Sequence, residues 1–305
     1  MRNALTVDVE DYFHVSAFDK SIRPEDWDSL PSRVEANTLR ILELFDEHSV
    51  RGTFFMLGWV AERHPSLVRR IAKAGHELAC HGYAHRRITQ QTPDIFRNDV
   101  SKAKKMLEDI SGSPVTGFRA PSWTITRQTM WALDILKQLG FVYDSSMFPI
   151  HHDIYGVPDG ERFPHIVYCG GGAMAEFPPS TVLLKLGKRT VNVPVAGGGY
   201  LRLLPAQLIG QAYQTLNRQG QPAVLYFHPW EIDPNQPRIT GPVPFRSRFR
   251  HYLNLGRMEK KLRYLLVHHS FAPMREVLAE VLGEGRMAQA CKLAESVSSG
   301  DEARV

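Results

Sequence analysis

The chain has 305 residues, enough for one large α/β domain or two smaller ones, and its 43% hydrophobic and 23% charged content is ordinary for a soluble globular protein, so disorder is not the default. Its formal net charge of +5 is spread along the sequence apart from Arg246, Arg248 and Arg250, which reads as a mildly basic solvated surface and not as a nucleic-acid-binding stripe. The three cysteines, Cys80, Cys169 and Cys291, stand at spacings that exclude a disulfide framework or a zinc-cysteine pattern, and no apolar run reaches bilayer length.

Along the chain, strand and helix signals alternate. Residues 4–9 are a short β-rich run ending in acids. Ser32-Arg33-Val34-Glu35 has the form of a capping box and opens a helix to about His48, with Leu39, Leu42 and Phe45 on its apolar face. A buried strand is predicted over 52–57, a helix from Pro65 stopped by Gly75, and a strand over 76–80. Thr92-Pro93 caps a helix to about Ile110. Strand signals return at 115–118 and 141–143, on either side of a helix over 126–139. Residues 149–205 break the rhythm, because glycine triplets and prolines favour loops and short strands there. A helix over 205–219, a strand over 223–227 and two helices beyond Met258 complete the sequence before a polar tail.

This alternation implies a parallel α/β sheet, in which working groups collect where strands end. The polar residues at predicted strand ends are Asp8, Glu10 and Asp11, then His81 and His85, Arg119, Asp144 and His228. In His81-Gly82-Tyr83-Ala84-His85 the two imidazoles are four residues apart, so a tight loop or a helical turn aims both at one point. Hydrolytic zinc commonly takes two histidines and one carboxylate, although the glutamate that follows the first histidine of zinc proteases is missing here. Asp8 and Glu10 project to one face of their strand while Val9 turns to the other, so one can ligate a cation and the other act as a base. Asp11 is the reserve ligand, unless it caps the turn.

Thr6-Val7-Asp8-Val9-Glu10-Asp11, His81 to His85, Arg119-Ala120-Pro121-Ser122-Trp123, Asp144-Ser145-Ser146 and Leu225-Tyr226-Phe227-His228 together resemble the five motifs of the polysaccharide deacetylases with NodB homology, the family-4 carbohydrate esterases. Asp8 to His14, Gly197 to Tyr200 and His251 to Leu255 are similar to segments of the branch found with bacterial exopolysaccharide clusters of the exosortase type. The resemblance implies a distorted, incomplete (β/α)7 barrel that hydrolyses the N-acetyl group of an amino sugar, with His81 and His85 as metal ligands. Its usual first motif has two adjacent aspartates, whereas this chain has Asp-x-Glu, which assigns Asp8 as base and Glu10 as third ligand. A divalent cation is expected, zinc first, with cobalt, nickel and manganese as alternatives.

In that scheme Arg119 keeps Asp8 ionised and oriented, and His228, aimed by Asp144, protonates the leaving amine. A backbone N–H near Ser122 or Trp123 supports the oxyanion. Trp123, Ser122, Tyr83 and Trp230 are the expected sugar-binding residues, and Gly197 to Tyr200 is expected to form a rim loop. The partner is an N-acetylated glycan or a lipid-linked oligosaccharide and not nucleic acid; acids within the first eleven residues leave no signal-peptide core, so a cytoplasmic chain, with a peripheral association to membrane assembly machinery, is expected. A metal-dependent amidase acting on a cyclic imide, or a silent glycan-binding barrel, is the rival reading. The expected layout is a catalytic barrel over 1–235 with a loop-rich insertion at 149–204, an extension over 236–290 packed on it, and a frayed tail over 291–305.

Overall fold

The computed structural model describes residues 1–170, 172–187 and 189–292, so most of the expected tail lies outside the described residues. Strands β1 (Asn3–Val9), β2 (Thr53–Met56), β3 (Glu77–Cys80), β4 (Gly117–Phe118), β5 (Tyr143–Asp144), β6 (His165–Cys169) and β7 (Gly172–Glu176) belong to one sheet. The hairpin of β8 (Thr181–Leu186) and β9 (Arg189–Pro194) stands apart, and β10 (Val224–Phe227) and β11 (Phe271–Ala272) rejoin the main sheet. Its order is β10-β1-β2-β3-β4-β5-β7-β6, and β11 pairs with the start of β1. All pairings are parallel except β6 with β7, so the sheet curls as an open, incomplete barrel.

Alternation along the strands sorts the side chains. Leu5, Val7, Val9, Phe54, Leu78, Cys80 and Phe118 face the outer helices and form the larger apolar cluster. Those helices include α1 (Val34–Glu47), α2 (Gly58–Arg63), α3 (Pro65–Lys73), α4 (Pro93–Ser111) and α5 (Trp131–Gln138). Ala4, Phe55, Ala79, Tyr143, Ala175 and Val224 face the other way and form a second cluster inside the barrel. The same inward phase then carries Thr6, Asp8, His81 and Arg119 to the carboxyl end.

After the hairpin come α6 (Gly198–Leu203), α7 (Ala206–Arg218), α8 (Phe245–Tyr252), α9 (Leu255–His268), α10 (Met274–Leu282) and α11 (Glu284–Cys291). From α10, Met274, Val277 and Leu278 enter the interior cluster, so the C-terminal part plugs the barrel's amino-end mouth. Together with β11, this ties residues 271–282 into the barrel itself.

Two local expectations are corrected. Ser32 does not cap α1: its hydroxyl donates to Asp11, whose carboxylate also accepts the backbone N–H groups of Arg33 (2.7 Å) and Val34 (3.0 Å). The cap of α1 therefore comes from the end of β1. The Gly197 to Tyr200 segment is not a rim loop: Gly197 bridges to Tyr226 of β10, and a Cβ there would stand 1.7 Å from the Tyr226 carbonyl oxygen. Only glycine lets the chain come this close and cover the free edge of β10. By contrast, α4 has the predicted ends, with Thr92 accepting from Ile95 and Gly112 left-handed at φ 67°.

Candidate active site

At the carboxyl ends of the strands a cleft of about 210 Å³ is lined by Asp8, Glu10, His81, His85, Ser122, Trp123, His228 and Trp230, among others. Glu10, His81 and His85 each bring a ligand atom to within 4.8 Å of the other two, and all three are buried. The histidines are aimed by a loop and not by a helix: Gly82 (φ 75°) and His85 (φ 49°) are both left-handed. The Nδ1–H of His81 donates to the Arg119 carbonyl at 2.7 Å, which leaves its Nε2 lone pair for a ligand. Burial pushes the pKa of His81 down to about 4, so the ring is neutral. The Nε2 of His85 lies 2.7 Å from Oε2 of Glu10, yet that buried oxygen has no aligned hydrogen-bond donor among the described residues. Two lone-pair atoms converging in this way fit a shared cation. Burial raises the pKa of Glu10, but His85 and His228 outweigh it and the carboxylate stays ionised.

Asp8 stands beside this cluster. Its Oδ1 accepts from Nη1 of Arg119 at 2.6 Å. Arg119 is 0% exposed and its side chain makes four hydrogen bonds, also bonding Thr6 and both the hydroxyl and the carbonyl of Ser145. Its guanidinium lies 4.0 Å from the ring centre of Phe55 and 4.9 Å from that of Trp123. The base candidate is thus held by a group that is itself immobile.

Across the cleft, Nε2 of His228 lies 3.6 Å from Oε1 of Glu10 and 3.9 Å from Oδ2 of Asp8. Asp144 does not aim this ring. It lies behind the site, accepting from Ser146 at 2.6 Å and facing Glu176, with which it forms a buried carboxyl pair whose proton affinities burial raises. The partner of His228 is Glu231, whose Oε2 accepts Nδ1–H at 3.0 Å and the His228 backbone N–H at 2.9 Å. Arg202 of α6 holds the other oxygen of Glu231 at 2.6 Å. Burial works against a charge on His228, but the carboxylates of Glu10, Glu231 and Asp8 overcome it and raise the pKa to about 9.

Three other expected residues sit elsewhere or work differently. Asp11 is no ligand, because it accepts from Tyr12, Ser32, Arg33 and Val34 as a cap. Tyr83 does not line the cleft: its hydroxyl donates to Glu62 at 2.6 Å and Lys102 covers its ring. Trp230 borders the cleft, but His228 and His251 stack at 5.2 and 4.3 Å from its ring centre and its Nε1–H donates to Glu10, so no sugar can stack on it. Ser122 and Trp123 do line the cleft, both left-handed at φ 53° and 56°. The Trp123 N–H is committed to the Ala120 carbonyl, and the Ser122 hydroxyl meets that of Ser16 at 2.6 Å.

Glu231 and Arg202 are not among the residues that the strand-end pattern of the sequence singles out. Glu231 had a readable signal, a carboxylate three residues after His228 with proline between, the spacing of a local cap. Arg202 had none, since only the fold brings α6 to this point.

An open parallel barrel with two histidines and a carboxylate at its carboxyl end is the class that the fold and cleft define. Residues 24–143 match the family of polysaccharide deacetylases, and residues 145–279 match a domain of unknown function (DUF3473). Residues 24–143 thus carry a polysaccharide deacetylase domain. Among its relatives, the peptidoglycan-N-acetylglucosamine deacetylase of Bacillus cereus is 35% identical over 98 residues, 32% of this chain and 36% of that one. The peptidoglycan deacetylase of Helicobacter pylori is 30% identical over 136 residues, 44% of this chain and 45% of that one. The matches thus span less than half the length of either relative. A candidate polysaccharide deacetylase from Mycobacterium smegmatis has a similar fold, with a TM-score of 0.59 at 20% identity over 93% of this chain and 92% of that one. The Puue allantoinase shares the fold at a TM-score of 0.57 and 14% identity, over 90% of this chain and 88% of that one.

Proposed function

We propose that this cleft hydrolyses the N-acetyl group of an amino sugar in a bacterial exopolysaccharide or its lipid-linked precursor, releasing acetate and a free amine. Glu10, His81 and His85 would hold a divalent cation, zinc being the best match to two imidazoles and one carboxylate. When bound, the cation supplies Lewis acidity, making water more acidic and an amide carbonyl more electrophilic.

The chain's own groups do the rest. Oδ1 of Asp8 is fixed by Arg119, so Oδ2 is the atom that takes a proton from the attacking water. As the tetrahedral centre collapses, the C–N bond breaks and the nitrogen leaves as an amine only once it is protonated. His228 donates that proton from Nε2, while Nδ1–H stays on Glu231. Glu231 is a positioning residue, and Arg202 keeps its carboxylate in place. Trp123 and Ser122 form a wall against which the sugar ring is laid.

The observation that carries this reading is the buried Glu10, His81 and His85 cluster with Asp8 and His228 beside it in one cleft. The test is acetate release from N-acetylglucosamine oligomers by zinc-loaded protein, compared with Asp8→Asn and His81→Ala. Both variants are expected to lose activity by at least about a hundredfold. No acetate from any acetylated glycan, with turnover of cyclic imides, would give the site to an amidase instead.

A further inference from the structure

Between Asp233 and Glu259 the chain carries five arginines, Arg238, Arg246, Arg248, Arg250 and Arg257, and no acidic residue. All five are exposed, and none has an ion-pair partner among the described residues. Arg248 donates to the Gly241 carbonyl and Arg238 lies over the Tyr252 ring. Between these charges α8 displays two bare rings, Phe245 at 80% and Phe249 at 55% exposed, one turn apart and stacked with their centres 6.3 Å from each other. Solubility explains unpaired arginines. It does not explain phenylalanines among them, because each exposed ring costs hydration free energy that a polar residue would avoid.

The helix stands beside the cleft. Arg250 acts electrostatically on His152 and on Tyr155, a residue of the cleft wall, and Ile154 between them is 44% exposed and also lines the cleft. Arg202, which holds Glu231, also bonds the carbonyls of Arg250 and His251, so α8 is fixed to the same frame as His228. The helix that carries the exposed rings and cations is therefore held near the cleft through Arg250, while the rings themselves lie outside the cleft lining.

We infer that α8 docks the protein on an anionic lipid surface, its arginines among the phosphates, Phe245 and Phe249 in the acyl boundary, and the cleft mouth beside the bilayer. Interfacial helices join cationic and apolar faces in this way, and each arginine near an anionic leaflet adds to the attraction. A polyanion in water matches the charges but leaves the rings and the neighbouring Ile154 without a partner. The inference concerns binding alone and stands or falls independently of the deacetylase reading.

The test is co-sedimentation of the full chain with phosphatidylcholine vesicles, with and without about one third phosphatidylglycerol, near physiological ionic strength. Pelleting is expected with the anionic vesicles only. Arg246→Glu/Arg248→Glu should lower partitioning by at least about 25-fold, since each arginine is worth roughly fivefold. Phe245→Ser/Phe249→Ser should lower it by about tenfold or more through lost apolar burial. Both variants should hydrolyse a soluble N-acetylated oligosaccharide as the parent does. Unfolding temperatures check the fold, and if a double variant is destabilised, the single Phe245→Ser makes the same comparison. Three results would each overturn the inference: no pelleting with either vesicle, pelleting unchanged by loss of both rings, or displacement by inorganic phosphate at constant ionic strength. Retention on heparin without vesicle binding would give the arginines to a soluble polyanion.

Discussion

Replacing Glu231 by glutamine separates the aim of His228 from the stability of the cleft. The carboxylate, itself fully buried, accepts from His228 at two points, 2.9 and 3.0 Å, and from Arg202 at 2.6 Å. A glutamine keeps the shape but has only one acceptor oxygen. If that oxygen stays with Arg202, the amide NH2 faces Nδ1 of His228, which must then give up its proton and leave a neutral ring. If it turns to His228, two donors meet at Arg202. The first arrangement removes the imidazolium, and a general acid is worth about 10²–10⁴ in rate. Acetate release at saturating substrate should therefore fall by about a hundredfold or more, with KM little changed. Both arrangements leave the Arg202 guanidinium without its counter-charge, which costs about 3–5 kcal/mol in a buried pair. At about 2 °C per kcal/mol for a chain of this size, the unfolding temperature falls by roughly 6–10 °C. The double variant Arg202→Met/Glu231→Gln removes both charges and should recover much of that stability while the rate stays low. A Glu231→Gln enzyme within about threefold of the parent rate, or a double variant that regains rate together with stability, would refute the positioning role.

Asp11 and His76 give two further tests. Asp11→Ala removes the shared cap of α1 and of the turn after β1, and should destabilise the fold by about 2–4 kcal/mol in urea unfolding, while zinc affinity by calorimetric titration stays near the parent's and Glu10→Gln loses it. Loss of zinc in a folded Asp11→Ala protein would mean that the ligand set is misassigned. His76 accepts from the Gly52 N–H, and burial pushes its pKa down to about 4 from 6.5. The unfolded chain then binds more protons than the fold in that window, so stability is lost as pH falls through it. His76→Gln should flatten the loss measured by thermal unfolding near pH 7 and near pH 4.5, and an unchanged pH dependence would exclude His76 as its source.

Much of the architecture can be read along the chain because local and long-range preferences agree there. The inward phase of Asp8 follows from strict alternation in β1, and the ends of α4 follow from Thr92 and Gly112. The candidate metal cluster shows in the sequence as a four-residue histidine spacing and an acid just after the first strand. What could not be read depends on distance in space. Asp144 ends a strand and Glu231 follows one, and both are acids, but only the short 3-10 turn at residues 229–232 returns Glu231 to His228, while Asp144 faces Glu176 on its neighbouring strand. Tyr83 follows His81 closely, yet Glu62 and Lys102 hold it outside the cleft. Strands as short as β4, β5 and β11 carry too few residues to show a period, and the plug by α10 becomes visible only when the two phases of the sheet are sorted into separate clusters.

Arg119 joins the ends of three strands, β1 through Thr6 and Asp8, its own β4, and β5 through Ser145, with every bond hidden from water. Assembling the barrel and fixing Asp8 are therefore one event, and the chain has no well-packed state in which Asp8 is left slack. This has a consequence for how such a protein can lose its chemistry. Drift towards a silent barrel is cheaper at His81, which touches the cleft, than at Asp8, whose loss strands the buried Arg119 charge, and most expensive at Arg119, where the change removes a keystone. A descendant that had given up catalysis and kept the fold would be expected to retain this arginine long after its ligands had gone.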